Sequence, residues 1–363
     1  MRMRAIVTVA LCLFAVSLAI LPVSGQVQVV RGFWTKPPES LDNLSILLGN
    51  IKRANFNTIF LVVFYDGQTI FPSRVFPRLP AYQGQDVAFE FVRAAHEQGF
   101  QVYAAVNLLY WRSTNKSSPL ADQHPDWLER NAEGQVVGDD GLPGGAWVSP
   151  VLPEVWAALQ QLVTELADQY AFDGIAFDYT RFALGDFLGY AAADRKAFLR
   201  EYRIDPLDLD PLGLGTSKSD REKLASWQEK QITDLVNLLS GTFRRLRPQG
   251  KVAATVIPDY YANRLESPVR QDWATWADKG YLDVLIPQGI TFSGPEVGPR
   301  LTKMRENRGV RIAPGIVPDF TVDTLSGPAQ VSVVQGLGLV NYVIWSPDTV
   351  AGRRQALRQF GGF

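Results

Sequence analysis

The chain has 363 residues, 46% hydrophobic and 20% charged, with Lys+Arg 36 against Asp+Glu 37. This composition excludes a disordered or fibrous chain, and the near-neutral balance argues against a dedicated nucleic-acid binder. One cysteine, Cys12, and two histidines, His96 and His124, exclude a disulfide framework and a thiolate zinc site and leave little for a Ser-His-Asp triad. The chemistry expected is free of metal and cofactor and rests on carboxylates, arginine, amides and aromatic rings.

The chain opens on a basic stretch, Met1 to Arg4, then an almost wholly apolar run from Ala5 to Leu21, then the small residues around Val23, Ser24 and Gly25. This is the layout of a secretory signal peptide cleaved after Gly25, the alternative being a retained membrane anchor. Residues 1–25 are read as the signal and residues 26–363 as one exported domain, periplasmic or extracellular after cleavage, touching the membrane only through the signal segment.

Strand and helix patterns then alternate. Val29–Trp34 reads as the first strand and Leu41–Ala54 as a helix, with Leu44, Leu47, Leu48 and Ile51 at helical spacing. Asn57–Phe64 is a continuous apolar run of the kind buried on both faces. Asp86–Gln98 is a helix with Asp86 as its cap, and Gln101–Asn107 is the third strand. A long loop spans Leu108–Pro150, followed by the helix Pro153–Tyr170 and the fourth strand, Asp173–Asp178. After an irregular insertion, Phe182–Asp220, come the helix Arg221–Leu246 and the strand Lys251–Ile257. Helix and strand then continue as Val269–Lys279, Leu282–Pro287, Pro295–Asn307, Val310–Ala313, Thr324–Gln335, Leu339–Trp345 and Thr349–Phe360. Eight strands, each followed by a helix, predict an α/β fold: a closed (β/α)8 TIM barrel with long loops after strands 3 and 4. An open doubly wound sheet is the alternative, but no glycine-rich phosphate loop follows the first strand.

Active sites of such barrels lie at the C-terminal ends of the strands. Those ends carry Trp34 and Lys36; Tyr65 and Asp66; Asn107, Tyr110 and Trp111; Asp178, Tyr179 and Arg181; Asp259, Tyr260 and Tyr261; Gln288; Asp319; and Trp345 and Asp348. Aromatic rings beside carboxylates, amides and arginine suit a polysaccharide or oligosaccharide. Rings stack on the C–H face of a sugar, polar groups hold its hydroxyls, and two carboxylates can run glycosidic cleavage. Asp178 is expected as nucleophile or stabilising carboxylate, kept ionised by Arg181 if that side chain folds back. Asp259 is expected as general acid/base, its proton held by the rings of Tyr260 and Tyr261, with Asp319, Asp66 and Asp348 competing for the role. Asp66, Asn107, Tyr179, Arg181 and Gln288 are expected substrate contacts, and Trp34, Tyr110, Trp111 and Trp345 stacking platforms. Asp173 reads as an anchor at the strand base.

The segment FDGIAFDYTRF, ending at Phe182, resembles the DGIHxDYxRYP motif of the glycosyl-hydrolase-like family 10 proteins. The likeness extends through RGFWTK at Arg31–Lys36, the run from Asn57 to Ser73, the HEQGFQVYAAVN segment, HPDWL at His124–Leu128, Phe187 with Gly189 and Tyr190, and YLDVLIPQ ending at Gln288. The resemblance implies a barrel glycoside hydrolase of the bacterial envelope, with the glycan strands of peptidoglycan as a substrate of some members. The chain departs from the family at Phe64-Tyr65, at Ala183 and at Gly289-Ile290-Thr291. The same strand also resembles the chitinase pattern DGxDxDxE, but Ala176 and Thr180 replace the middle aspartate and the acid, so a substrate-assisted mechanism is not expected. The alternatives to a hydrolase are a non-catalytic carbohydrate-binding barrel and a tethered envelope scaffold.

Overall fold

A computed structural model describes residues 29–38, 40–209, 215–306, 309–318 and 323–363. The expected signal segment and Asp319 lie outside these described residues. Eight parallel strands run round a ring in chain order: β1 (Arg31–Thr35), β2 (Thr58–Tyr65), β3 (Gln101–Asn107), β4 (Gly174–Asp178), β5 (Lys251–Val256), β6 (Val284–Pro287), β7 and β8 (Tyr342–Trp345). The seventh strand is in two pieces, Arg311–Ile312 and Gly315–Ile316. Pro314 lies between them and has no N–H to give a ladder. The first piece pairs with β6 and the second with β8, so this one segment closes the ring.

Helices α1 (Leu44–Arg53), α2 (Val87–Glu97), α3 (Pro153–Gln169), α4 (Lys218–Leu246), α5 (Trp273–Asp278), α6 (Val297–Arg305), α7 (Gly327–Gly336) and α8 (Val350–Gln359) follow the strands. Their apolar faces and the outward strand residues form the larger core cluster. A second cluster, with Phe60, Val62, Tyr103, Ala105, Ala176 and Val343, fills the lumen. The two clusters explain why β2 is apolar without a break from Ile59 to Phe64: Phe60 and Val62 face inward, Ile59, Leu61 and Val63 outward. A bulge between Val62 and Phe64 sends Phe64 outward as well and turns Tyr65 back toward the lumen. Glycines make room for the large inner rings. A Cβ on Gly174 would stand 2.4 Å from the Tyr103 ring, and one on Gly32 2.7 Å from Phe60.

At the base of the barrel one device recurs. Asn57, Asp173 and Asp283 each stand just before an even-numbered strand. Each gives its N–H to a carbonyl of the preceding strand and takes that same residue's N–H on its side-chain oxygen: Arg31 at 3.0 Å, Val102 at 2.8 Å and Val252 at 2.9 Å. Asn341, before β8, takes the N–H of Val30 at 2.9 Å, and Tyr342 returns the bond to the Val30 carbonyl. An Asx side chain thus pairs a backbone donor at the bottom of four strand pairs, β1–β2, β3–β4, β5–β6 and β8–β1, where the ladder runs out. Asp173 is the anchor expected of it, and it also meets His96 at 2.9 Å.

The two long loops are more structured than their sequences predict. They carry helices Pro119–Gln123 and Ala192–Tyr202 and a hairpin pairing Tyr110–Arg112 with Ala146–Trp147. The helix expected over Val269–Lys279 shortens to α5. Arg270 adopts φ +53°, outside helical geometry, and the Asp272 side chain caps the N–H of Thr275. The helix expected from Arg221 begins earlier, capped by Ser217 on the N–H of Asp220.

Two buried carboxyls tie the loops together. Glu129, from the loop after β3, and Asp194, from the insertion after β4, are buried beside each other and beside Ser149. Ser149 Oγ reaches both oxygens of Asp194 at 3.1 and 3.0 Å, and the N–H of Gly189 reaches Glu129 Oε2 at 3.0 Å. Burial, then the charge of Asp194, pushes Glu129 well above the ordinary carboxyl range, and burial pushes Asp194 up to about 6. Two carboxyls in one dry site share a proton.

Two outcomes follow from these features. Asn57→Ala strips the clamp from Arg31 and also removes the bond from Asn57 Nδ2 to the carbonyl of Val29 at 2.7 Å. It is expected to lower unfolding free energy by about 1–3 kcal/mol in denaturant melts. The acid pair keeps a proton that the unfolded chain releases at about pH 4, so stability falls as pH rises from there through the folded-state value. Glu129→Gln keeps a donor without the titration. Its melting temperature is expected to exceed the parent's at pH 8 and to converge with it at pH 4; a difference independent of pH would contradict the shared proton.

Candidate functional site

Strand alternation brings one polar side chain from each of three adjacent strands to the C-terminal mouth. Inward positions on β3 run Tyr103, Ala105, Asn107; on β4 Ala176, Asp178; on β5 Ala253, Thr255. Asn107 and Asp178 are register partners. Asp178 is 6% exposed, so it is enclosed yet reachable. Its Oδ1 accepts from Thr255 Oγ1 at 2.6 Å and from the N–H of Tyr179 at 2.8 Å. Its Oδ2 accepts no hydrogen bond from the described residues. Burial raises the pKa of Asp178, against the two hydrogen bonds and the charge of Arg181, which favour the ionised form.

Two backbone features hold this carboxylate. Tyr179 sits at φ +49°, a left-handed conformation that a bulky residue rarely adopts, and this turns its N–H onto the Asp178 side chain. Gln271, wholly buried, braces the strand ends behind it. Its amide donates to the carbonyls of Thr180 and Thr255, both at 3.1 Å, and its oxygen accepts from the N–H of Ile257 at 2.8 Å. Sequence reasoning missed both Thr255 and Gln271. Thr255 carried a signal, a polar residue at an inward position of KVAATVI. Gln271 carried none, since its position depends on the Arg270 kink.

The opposite arc of the mouth is aromatic. Trp345 is half-buried and lies 4.3 Å, centroid to centroid, from Trp34, which stacks on Phe60 at 5.4 Å. Gly315 lets Trp345 lie across β7, since a Cβ there would be 2.5 Å from its indole nitrogen. Lys36 Nζ bridges Asp348 at 2.6 Å and stands 4.4 Å above the Tyr65 ring. Asp66, 8% exposed and at φ +51°, takes the N–H of Ser113 at 2.8 Å. Gln288 is half-buried at the end of β6, its N–H bonded to the carbonyl of Val256 at 2.9 Å.

Several expected site residues are committed elsewhere. Trp111 is fully buried against Phe64, Phe76 and Trp127, its indole N–H on the carbonyl of Leu108 at 2.8 Å, and offers no face to a ligand. Trp34 and Tyr110, 4% and 6% exposed, are packing rather than platforms. Trp34 plugs the lumen beneath Trp345, and Tyr110 lies between Trp147 and Tyr179. Arg181 does not turn to Asp178. Its guanidinium grips Asp139 through both terminal nitrogens, at 2.7 and 2.9 Å, and lies over Trp147 and Tyr179. It clasps one mouth loop to the other. Asp259 sits past the end of β5 and pairs with Arg300 Nε at 3.0 Å. The expected enclosure by its neighbouring tyrosines is absent, because the Tyr260 and Tyr261 hydroxyls bind Glu229 and Asp272.

Known proteins place this architecture. The chain is similar to "Glycosyl hydrolase DigH" of Escherichia coli (strain K12), 23% identical over 278 residues, which cover 66% of this chain and 56% of that protein. The Shigella flexneri protein of the same name matches to the same extent, so the chain spans about half the length of these curated relatives. Among solved structures it is similar in fold to a β-galactosidase from the psychrophilic Marinomonas ef1 (TM-score 0.66, 13% identity, 91% of this chain and 58% of that one). It also resembles α-L-fucosidase isoenzyme 2 from Paenibacillus thiaminolyticus (TM-score 0.62, 14% identity, 92% and 48%). The family model described as Glycosyl hydrolase-like 10 matches residues 36–312, more than half of the sequence, and the chain belongs to that family.

Proposed function

We propose that the chain hydrolyses glycosidic bonds of an envelope or extracellular polysaccharide, as an exported protein, with the sugar seated between the two arcs of the barrel mouth. The observation that carries this reading is Asp178: a carboxylate at the mouth, fixed through Oδ1 by Thr255 and Tyr179 while Oδ2 is left for a ligand. Trp345 supplies the half-exposed ring for the apolar face of a sugar, and Asn107 and Gln288 supply amides for its hydroxyls. In this reading Asp178 works ionised at the anomeric carbon, and a second carboxylate protonates the leaving oxygen. Asp259 and Asp348 are each ion-paired to a cation, whereas Asp66 forms no ion pair among the described residues. A proton donor is poorly served by a fixed cation beside it, so Asp66 takes the role in this proposal. Glycan strands of peptidoglycan are the substrate that the family resemblance implies for some members, and they are the first candidate here.

A second reading, glycan binding without hydrolysis, is favoured by one observation: the partner carboxylate expected at Asp259 is held by Arg300. The two readings separate when the purified protein is incubated with peptidoglycan, with and without stem peptides, and with chitin and α-glucans, and the products are weighed by mass spectrometry. Hydrolysis is expected, and Asp178→Asn should reduce it about a hundred- to ten-thousandfold with binding kept. Bound glycan with no product from the parent protein would select the second reading. Asp66→Asn should lose activity on natural linkages but keep it on aryl glycosides, whose leaving group needs no proton. The acidic limb of the kcat/KM profile should lie above the ordinary carboxyl range, because burial raises Asp178. Thr255→Val removes a bond that favours the charged form and should move that limb to higher pH. A limb that stays put or moves down would remove Asp178 from the role of ionised carboxylate.

A further inference from the structure

Beside the mouth, and separate from it, lies a cleft of about 530 Å³ between the turn after β5 and helix α6. Its size falls within the range of small-ligand sites, about 300–1,000 Å³. The floor is apolar: Pro258, Ala262, Ala274 and Pro299, with the rings of Tyr261 and Trp273 at its back. Tyr261 is half-buried and cannot swing away, since its hydroxyl binds Asp272, accepts the N–H of Ala274 at 3.0 Å, and its ring meets Trp273 edge-on at 5.2 Å. It is a fixed, partly exposed aromatic face, with no rotamer freedom left to lose on binding.

The fringe is polar and electrically balanced. Asp259 and Arg300 pair at 3.0 Å with side chains 40% and 35% exposed, which leaves carboxylate and guanidinium atoms open to a ligand. Glu296 and Lys303 add one charge of each sign, and Asn263 adds an amide. Two anions and two cations attract no net charge, yet they offer a dense set of donors and acceptors over an apolar floor. The ligand matching all of this is neutral, polyhydroxylated and flat on one side. We propose that the cleft is a saccharide-binding site distinct from the mouth, which holds a further stretch of a neutral glycan while another part lies over Asp178. The link to Asp178 rests on the hydrolase reading; the binding site itself does not.

The test uses the full chain carrying Asp178→Asn, so that ligands stay intact, saturated in turn with chitohexaose, maltoheptaose and cellohexaose and mapped by hydrogen–deuterium exchange. Protection is expected over residues 259–263 and 296–303 with at least one glycan, and should be lost in Ala262→Trp, which fills the cleft from an exposed position, and in Arg300→Ala. In the otherwise native protein, Ala262→Trp should raise KM for a long glycan and leave turnover of a short aryl glycoside unchanged. Protection confined to residues 107–112 and 178–181 would overturn the cleft and leave the hydrolase reading standing. Protection in the cleft, with no hydrolysis by the parent of any glycan, would uphold the cleft and remove the hydrolase reading. No protection by any of the three overturns the cleft.

Discussion

Strand register is the constraint on which the site depends. Side chains on a strand alternate between lumen and helix layer, so a slip of one residue in β4 would exchange Asp178 with Phe177 and leave the mouth without its carboxylate. The Asx clamps beneath the strands oppose such a slip. In each reciprocal clamp a side chain and a backbone N–H grip the same residue of the neighbouring strand, and a shift by one would break both bonds. The base of the barrel thereby sets the geometry of its opposite end.

At that end the mouth divides into two arcs of different chemistry. From β8 through β1 to β2 it is aromatic: Trp345 over Trp34, with Tyr65 beneath Lys36. From β3 to β5 it is polar: Asn107, Asp178 and Thr255. A ring ligand between them meets an apolar face on one side and hydrogen-bonding groups on the other, the division that a sugar itself has. Large lumen rings support the first arc from below, and small lumen residues, Ala176 and Ala253, underlie the second.

The long loops enclose Asp178 and are held by two interactions, the half-buried Arg181–Asp139 fork and the buried Glu129–Asp194 acid pair. Both join the stretch after β3 to the stretch after β4. Enclosure has an electrostatic consequence, since removing water from Asp178 is the main cause of its raised pKa.

The ring of eight strands, the helix after each, the Asp86 cap and the anchoring role of Asp173 were legible in the sequence, because periodicity and capping are local and repeat along the chain. The DYTR segment was legible as a resemblance, and the family it points to is the one whose model matches residues 36–312. Which strand-end residues reach a ligand was not legible. Trp345 ends β8 and Trp111 lies in the loop just past β3, the same residue type near the mouth, yet Trp111 is sealed by Phe64 and Phe76 and Trp345 lies half-open beside Gly315. The partners of Arg181 and Asp259 come from Asp139 and Arg300, distant in sequence, and Gln271 reaches its place only because Arg270 breaks the helix before it. The sequence by itself determined the order of elements and the inward position of Asp178, because both follow from side-chain alternation. Tertiary structure alone decided which charges are paired and which rings are exposed, because those depend on contacts between segments that no local pattern encodes.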